Sequence, residues 1–168
     1  IPIVVYNANG ATGGTVPGGE TFTAGQSVHT VMSNSGNLVK TGSVFVGWNT
    51  AANLTGTYYA INDTLTVTIN VTLYAQWLTA CTPVTTYVNG EQVNTFSATG
   101  NCGYVVPDGV STIDFLAVGG GGGGGTNVGG GGGGGGVQIR SNIPVTPGMG
   151  LPIAVGAGGA QSTAGASS

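Results

Sequence analysis

The sequence predicts a mostly β protein made of two modules, and three observations lead to that prediction. In residues 65–77, apolar residues alternate with polar ones in a period of two, which is typical of a strand with one buried face. No stretch shows a convincing helical period. Two glycine blocks, residues 119–125 and 129–136, are separated only by residues 126–128. Because the blocks carry no side chains, only their backbone N–H and C=O groups can form structure or contacts.

The first half, residues 1–78, contains four regions with strand character. Residues 3–6 form an opening strand, residues 21–31 alternate around Gly25, and residues 44–48 form a short aromatic strand. In residues 65–77 the threonines of the polar parity also favour a strand, and a turn near Asn70 would split it in two. We expect the aromatic side chains to lie in the core, with carbohydrate stacking as the alternative for the tryptophans: Phe45, Trp48, Tyr74 and Trp77.

The second half, residues 79–168, holds both cysteines, five of the seven prolines and the glycine blocks. Residues 113–118 are typical of a strand that runs directly into glycine, and residues 137–140 are strand-like on the far side. Cys81 and Cys102 fit one disulfide in an oxidising compartment. Closing the loop between them would contribute about 3 kcal/mol. Two buried free thiols are the alternative.

The glycine blocks are either a flexible linker or extended rods packed side by side. Ordering fifteen glycines costs roughly 15–30 kcal/mol of backbone entropy, and one hydrogen bond contributes only about 0.5–1.5 kcal/mol net. Ordered rods therefore need several neighbours. Since Val118 enters the first block with no polar breaker, we favour ordered rods. The glycines concerned are Gly119, Gly120, Gly121, Gly122, Gly123, Gly124, Gly125, Gly129, Gly130, Gly131, Gly132, Gly133, Gly134, Gly135 and Gly136.

Charge is scarce, since 4% of the residues are charged and the formal net charge is -3. Nucleic-acid binding needs many cations to neutralise phosphates, and Lys40 and Arg140 are the only two, so we exclude that partner. No run approaches the ~20 apolar residues of a membrane span. With few charges to protect strand edges, we expect a protein that lies outside the cell or within an assembly that covers its edges, and of these we favour an extracellular protein. The start at Ile1 and the sequence of residues 163–168 favour a processed product or a piece of a longer protein.

No set of residues forms a convincing catalytic or metal site. The lone histidine, His29, is expected to be a partly exposed strand residue. For Lys40, a covalent cross-link to an asparagine is a minor alternative to an ordinary surface position. The glycine blocks lack the lysine and the following helix of a phosphate-binding loop. We therefore expect no catalytic residue, cofactor or metal. A turn explains Asp108. The five carboxylates are scattered along the sequence: Glu20, Glu91, Asp63, Asp108 and Asp114.

Three motifs of the first half occur in order: Tyr6-Asn-Ala-Asn-Gly10, Phe45-Val-Gly-Trp48-Asn-Thr50 and Thr72-Leu-Tyr-Ala-Gln-Trp77. Together they resemble the Listeria–Bacteroides repeat of bacterial surface proteins, which is related to the internalin-type B-repeat. The resemblance covers residues 1–78. It implies a compact β-grasp-like module that serves as a spacer or adhesive unit and has no enzymatic activity. The family often occurs in tandem, whereas this copy stands alone.

Several motifs of the second half resemble the glycine-rich domains of bacterial surface proteins and phage tail proteins. The resemblance implies that the blocks form polyglycine II helices in a hexagonal array, with three residues per turn and about 3.1 Å per residue. Similar domains continue with further glycine segments, so we expect residues 79–168 to be truncated or completed by another chain. The motifs are Tyr104-Val-Val-Pro-Asp-Gly-Val110, residues 113–118, the glycine blocks, residues 144–148 and Ile153-Ala-Val-Gly-Ala-Gly-Gly159.

These inferences predict a non-enzymatic structural or adhesive segment of an extracellular bacterial surface protein or filament. The expected partners are other copies of the chain or neighbouring subunits of an assembly, and glycans or proteins of a host or cell surface. A phage tail fibre or receptor-binding module, located on the virion, is the alternative. A flexible linker between binding modules is a third interpretation.

Overall fold

The computed structural model describes residues 1–23, 27–125 and 130–161. The chain divides into two compact units, the N-terminal unit Ile1–Ala80 and the C-terminal unit Cys81–Ser168. Over the described residues the secondary structure consists of strands and turns without a helix. The mostly β prediction is therefore confirmed.

Seven strands build the N-terminal unit over the residues that the structure describes there, 1–23 and 27–80. Five of them form a sheet in the order β2-β1-β7-β4-β5, and β3 pairs with β6 in a separate two-stranded sheet. In the larger sheet β1 and β7 run parallel at the centre, and the other pairings are antiparallel. The strands are β1 (Ile3–Asn7), β2 (Glu20–Thr21), β3 (Val28–Thr30), β4 (Ser43–Asn49), β5 (Tyr58–Tyr59), β6 (Thr64–Thr66) and β7 (Val71–Thr79).

The alternation in residues 65–77 forms two strands, as the turn expected near Asn70 requires. β6 ends at Thr66 and β7 begins at Val71. On either side of the break the apolar parity is buried, but Ile69 within it is 72% exposed. The core of the unit lies on the apolar face of β7, where Leu73, Ala75 and Trp77 are buried.

A bulge in β4 places three aromatic rings on one side of the sheet. The pairing of β4 with β7 shifts register between Phe45 and Gly47, so Phe45 and Trp48 face the same side although they are three residues apart. Their ring centroids are 5.1 Å apart, and Phe45 lies 5.8 Å from the ring of Trp77. Gly47 permits the bulge because its φ is +140° and a Cβ there would overlap the ring of Tyr58.

Tyr74 does not lie in this core, which corrects the expectation from the sequence. It is half-buried and sits between Leu73 and Ala75 on β7, so the two-residue period of the strand turns its side chain to the opposite face. Phe45, Trp48 and Trp77 occupy or contact the core cluster, whereas Tyr74 is outside it.

In the described part of the C-terminal unit, three two-stranded antiparallel sheets pair β8 with β9, β10 with β13, and β11 with β12. Asn89 and Gly90 form the two-residue connection between β8 and β9, with φ of 53° and 86°. This is the sequence pair that such hairpins favour, and our sequence reasoning missed it. The strands are β8 (Val84–Val88), β9 (Glu91–Thr95), β10 (Gly100–Val105), β11 (Thr112–Val118), β12 (Val137–Pro144) and β13 (Gly150–Val155).

The C-terminal unit has almost no hydrophobic core. Among its described residues, Val106 is the one large apolar side chain that is buried, at 1% exposure. A two-stranded sheet alone is marginally stable in water. Backbone hydrogen bonds and covalent closure must therefore provide most of the order in this unit.

Cys81 and Cys102 form a disulfide across a separation of 21 residues, and the loop that it closes contains the exposed β8–β9 hairpin. Reduction is expected to destabilise this region by about 3 kcal/mol. Amides of residues 84–95 should then exchange at coil rates, as measured by hydrogen exchange with mass spectrometry. The double variant Cys81→Ser/Cys102→Ser should behave like the reduced protein. Unchanged protection after reduction would contradict this prediction.

Candidate functional site

One long hairpin of the C-terminal unit contains the glycine blocks. β11 continues into the first rod, residues 119–125, and the second rod, residues 130–136, continues into β12. Gly129, which the sequence placed in the second block, lies outside the described residues. Gly119 N–H donates to Gly136 O at 2.8 Å, and Gly122 N–H donates to Gly133 O at 2.8 Å. Gly125 N–H donates to Gly130 O at 3.0 Å.

The three bonds recur every third residue along both rods, which identifies the backbone conformation. An antiparallel β ladder pairs residues with a period of two, whereas the polyproline II form returns to the same face every three residues. None of the described rod glycines has a φ in the left-handed region. The rods are therefore antiparallel polyglycine II segments, the ordered one of the two alternatives that the sequence left open.

A third segment packs on the other side of the first rod. Gly159 N–H donates to Gly121 O at 2.8 Å, and Gln161 Nε2 donates to Gly125 O at 3.4 Å. Residues 119–124 are consequently half-buried, while most of the described second rod is exposed. The first rod is the inner member of the array and the second rod is an outer member.

Steric space explains the need for glycine at the inner contacts. A Cβ at Gly132 would overlap the carbonyl oxygen of Gly122, and one at Gly135 would overlap that of Gly119. A Cβ at Gly123 would overlap the carbonyl oxygen of Ala160. Any side chain at these three positions would separate the neighbouring segments, so the array depends on glycine there.

The strands β11 and β12 hold the bases of the rods in register. Leu116 pairs with Ile139, and Val118 pairs with Val137, immediately before the rods begin. Farther from the rods β12 carries a bulge, where Asp114 Oδ1 accepts a hydrogen bond from Asn142 N–H at 2.8 Å. Asn142 has a φ of 56°. Asp114 therefore satisfies the extra backbone donor of the bulge, a role that the sequence alone does not reveal.

The N-terminal unit contains a hydrogen-bonded network of three ionisable side chains, of which Tyr6 and His29 are buried and Glu20 is exposed. His29 is 1% exposed, so our expectation of a partly exposed strand residue was wrong. His29 Nδ1 lies 2.5 Å from Glu20 Oε2, and Nε2 lies 2.7 Å from the Tyr6 hydroxyl. Both ring nitrogens have partners, which lets a polar ring occupy the core without an unsatisfied group.

Like a catalytic triad, the set of Tyr6, His29 and Glu20 joins a hydroxyl, an imidazole and a carboxylate, but its arrangement serves to stabilise the fold. The Tyr6 hydroxyl accepts the backbone N–H of Met32 at 2.9 Å and contacts His29 as well. The ring is buried within the core cluster, so the hydroxyl is not presented to a substrate as a nucleophile would be. The network joins β1, β2 and β3 and fixes the segment that follows β3.

Two tyrosines of the N-terminal unit are expected to make its stability fall in alkali. Burial raises the pKa of Tyr6. The hydrogen bond from Met32 lowers this pKa, and the negative charge of Glu20 raises it. Burial, and then the charge of Asp63, raises the pKa of Tyr58. Unfolded tyrosine ionises near pH 10, so above that pH the unfolded state binds fewer protons than the native state. The stabilisation is full below about pH 10 and is lost as the pH rises through the native values.

Thermal melts followed by tryptophan fluorescence between neutral and alkaline pH test this prediction, because both tryptophans lie in the N-terminal unit. The melting temperature should fall above about pH 10. Tyr58→Phe, which loses only the hydroxyl bonded to Val46 O, should be less stable at neutral pH and less sensitive to alkali. Equal alkaline slopes in the variant and the parent would contradict it.

The fold and the glycine array together define the class of protein, which is a two-unit β protein whose second unit is ordered by packed glycine backbone. Residues 3–76 match the family model of the Listeria-Bacteroides repeat domain, and residues 95–168 match that of the glycine-rich domain. Both resemblances seen in the sequence are thereby confirmed, in the order in which they were stated. No curated protein and no solved structure matches the chain.

The two domains indicate a structural, surface-associated role. Over the residues that the structure describes, no helix is both long and apolar enough to cross a bilayer.

Proposed function

We propose that this chain is a non-enzymatic structural and adhesive segment of an extracellular bacterial surface protein or filament. The observation that carries the proposal is the three-residue hydrogen-bond ladder between the two glycine rods. A seven-residue rod in this conformation is roughly 22 Å long. Such a rod offers stiffness and backbone hydrogen-bonding groups, and it offers no side chain for chemistry.

The N-terminal unit serves as a folded spacer in this proposal. Its five-stranded sheet packs on a core of aromatic and aliphatic residues, and both ring nitrogens of its buried histidine have partners in Glu20 and Tyr6. Other copies of the chain, neighbouring subunits, or glycans and proteins on a cell surface are its proposed partners. Matches to a repeat domain and a glycine-rich domain support this role.

Hydrogen exchange of the full chain tests the proposal. The amides of Gly119, Gly122 and Gly125, which donate to the second rod, should exchange far more slowly than unstructured glycine. The amide of Gly18, which lies in an exposed loop with open space around it, is the internal reference. Exchange at coil rates at all three donors would show that the glycine segments form a flexible linker, and it would contradict the proposal.

A phage tail receptor-binding module is the second candidate, and the β8–β9 hairpin favours it. The hairpin presents Tyr87 at 72% exposure and Val84 at 62%, and aromatic side chains are common anchors of binding sites. Binding of the full chain to intact host cells or to a glycan array, lost in Tyr87→Ala, would favour this candidate. Equal binding by the variant would remove its support.

A further inference from the structure

At five positions of the second rod, no steric contact within the described residues requires glycine. A Cβ at Gly130, Gly131, Gly133, Gly134 or Gly136 would meet nothing within 4 Å. Glycine is nevertheless costly to order, because it loses more backbone freedom than any other residue. The inner face of this rod requires glycine only at Gly132 and Gly135. The open positions therefore point to a neighbour beyond the residues described.

The neighbour must itself be nearly free of side chains on the face that it presents. The two rods of this chain approach closely enough for direct N–H to O hydrogen bonds of 2.8–3.0 Å, and a Cβ at their contact positions overlaps backbone. A partner at the same spacing against Gly131 and Gly134 meets the same limit. Among the described residues these two glycines make no hydrogen bond, so their peptide groups are available to such a partner.

We infer that the second rods of two copies of this chain pack against each other through the face formed by Gly131 and Gly134. The inference rests on the proposed function, since it requires ordered rods. The second rod is itself a glycine segment with a three-residue period, so two copies related by a two-fold axis present the same face to each other. A rod of the same chain thus has the composition that the open face requires.

Area and charge favour this occupant. A rod about 22 Å long is far too narrow to bury the roughly 800 Å² per partner of a stable interface, so the contact must extend onto β11 and β12. There Leu116, Val137 and Ile139 are 63%, 63% and 65% exposed. The hairpin carries one acidic and one basic residue, Asp114 and Arg140. Two copies therefore meet without net repulsion, and burial of these apolar side chains supplies the core that the C-terminal unit lacks.

Sedimentation equilibrium of the full chain over about a hundredfold range of concentration tests the inference, since dimerisation follows mass action. We expect a monomer–dimer equilibrium. The double variant Gly131→Ala/Gly134→Ala should weaken it at least about tenfold in Kd. Gly18→Ala, an equally open glycine of the N-terminal unit, should leave the Kd unchanged.

Hydrogen exchange separates failure of this inference from failure of the proposed function. In the double variant the amides of Gly119, Gly122 and Gly125 should stay protected, because the substituted positions do not face the first rod. A monomer at every concentration, with these amides protected, overturns the inference and leaves the proposed function standing. A trimer or an open filament also overturns the two-copy arrangement. Capture of a synthetic polyglycine peptide by a monomeric chain assigns the face to a foreign glycine segment instead.

Discussion

Gly135→Ala is expected to separate the two glycine rods. The added methyl group would overlap the carbonyl oxygen of Gly119 and crowd the backbone of Gly120, and neither neighbour has a side chain that can move aside. Parting the rods breaks the three hydrogen bonds between them, a loss of roughly 1.5–4.5 kcal/mol at about 0.5–1.5 kcal/mol each. Since the described part of this unit buries one large apolar side chain, that loss should disorder the array.

Hydrogen exchange at Gly119, Gly122 and Gly125 measures this effect, with Gly134→Ala as the matched control. The control adds the same methyl group one residue away, where it meets open space. At low protein concentration the control should keep the parent's protection, while Gly135→Ala should exchange at coil rates. Equal exchange in the two variants would show that the rods do not pack as described.

Trp48→Ala is expected to unfold the N-terminal unit. Trp48 is fully buried, lies edge-on to Tyr6 with ring centroids 4.5 Å apart, and donates Nε1–H to Met32 O at 2.9 Å. Replacing a buried tryptophan by alanine costs about 3–5 kcal/mol. Small domains have about 5–15 kcal/mol of total stability, so the variant should retain little or none of its cooperative transition.

Urea denaturation followed by circular dichroism and by the fluorescence of Trp77 measures this loss. Ile69→Ala is the control, because Ile69 belongs to the same alternating pattern but is largely exposed at the break between β6 and β7. Its free energy of unfolding should stay within about 0.5 kcal/mol of the parent value. Comparable losses in both variants would contradict the placement of the core.

The two-residue hydrophobic period and the turn residues between strands predict many of the strands of the N-terminal unit, because one face of each long strand is buried. The pattern at residues 65–77 is sufficient to place β6, β7 and five of the eleven buried residues of the core cluster. Phe45 and Trp48 were both expected in the core, but the sequence does not show the bulge at Gly47 that brings them to the same face of β4. His29 was misjudged because its burial depends on hydrogen-bond partners, Tyr6 and Glu20, that lie elsewhere in the sequence.

The glycine array shows the opposite limit. Its composition predicts extended rods, but fifteen identical residues carry no pattern that selects a register or a neighbour. The pairing of Gly122 with Gly133 is determined instead by the strands at the base, where Val118 meets Val137. The third neighbour, at Gly159, lies forty residues after Gly119, where the first rod starts, and only the fold reveals it.

The parallel pairing of β1 with β7 has a mechanical consequence. A tension that pulls the N-terminal end of β1 and the C-terminal end of β7 apart acts along both strands in opposite directions, since these strands point the same way and lie side by side from Val4 to Asn7 and from Val71 to Tyr74. The hydrogen bonds between them are then sheared together, whereas a hairpin pulled open from its ends loses its bonds one after another. The N-terminal unit is thus built as a clamp that resists stretching along the chain.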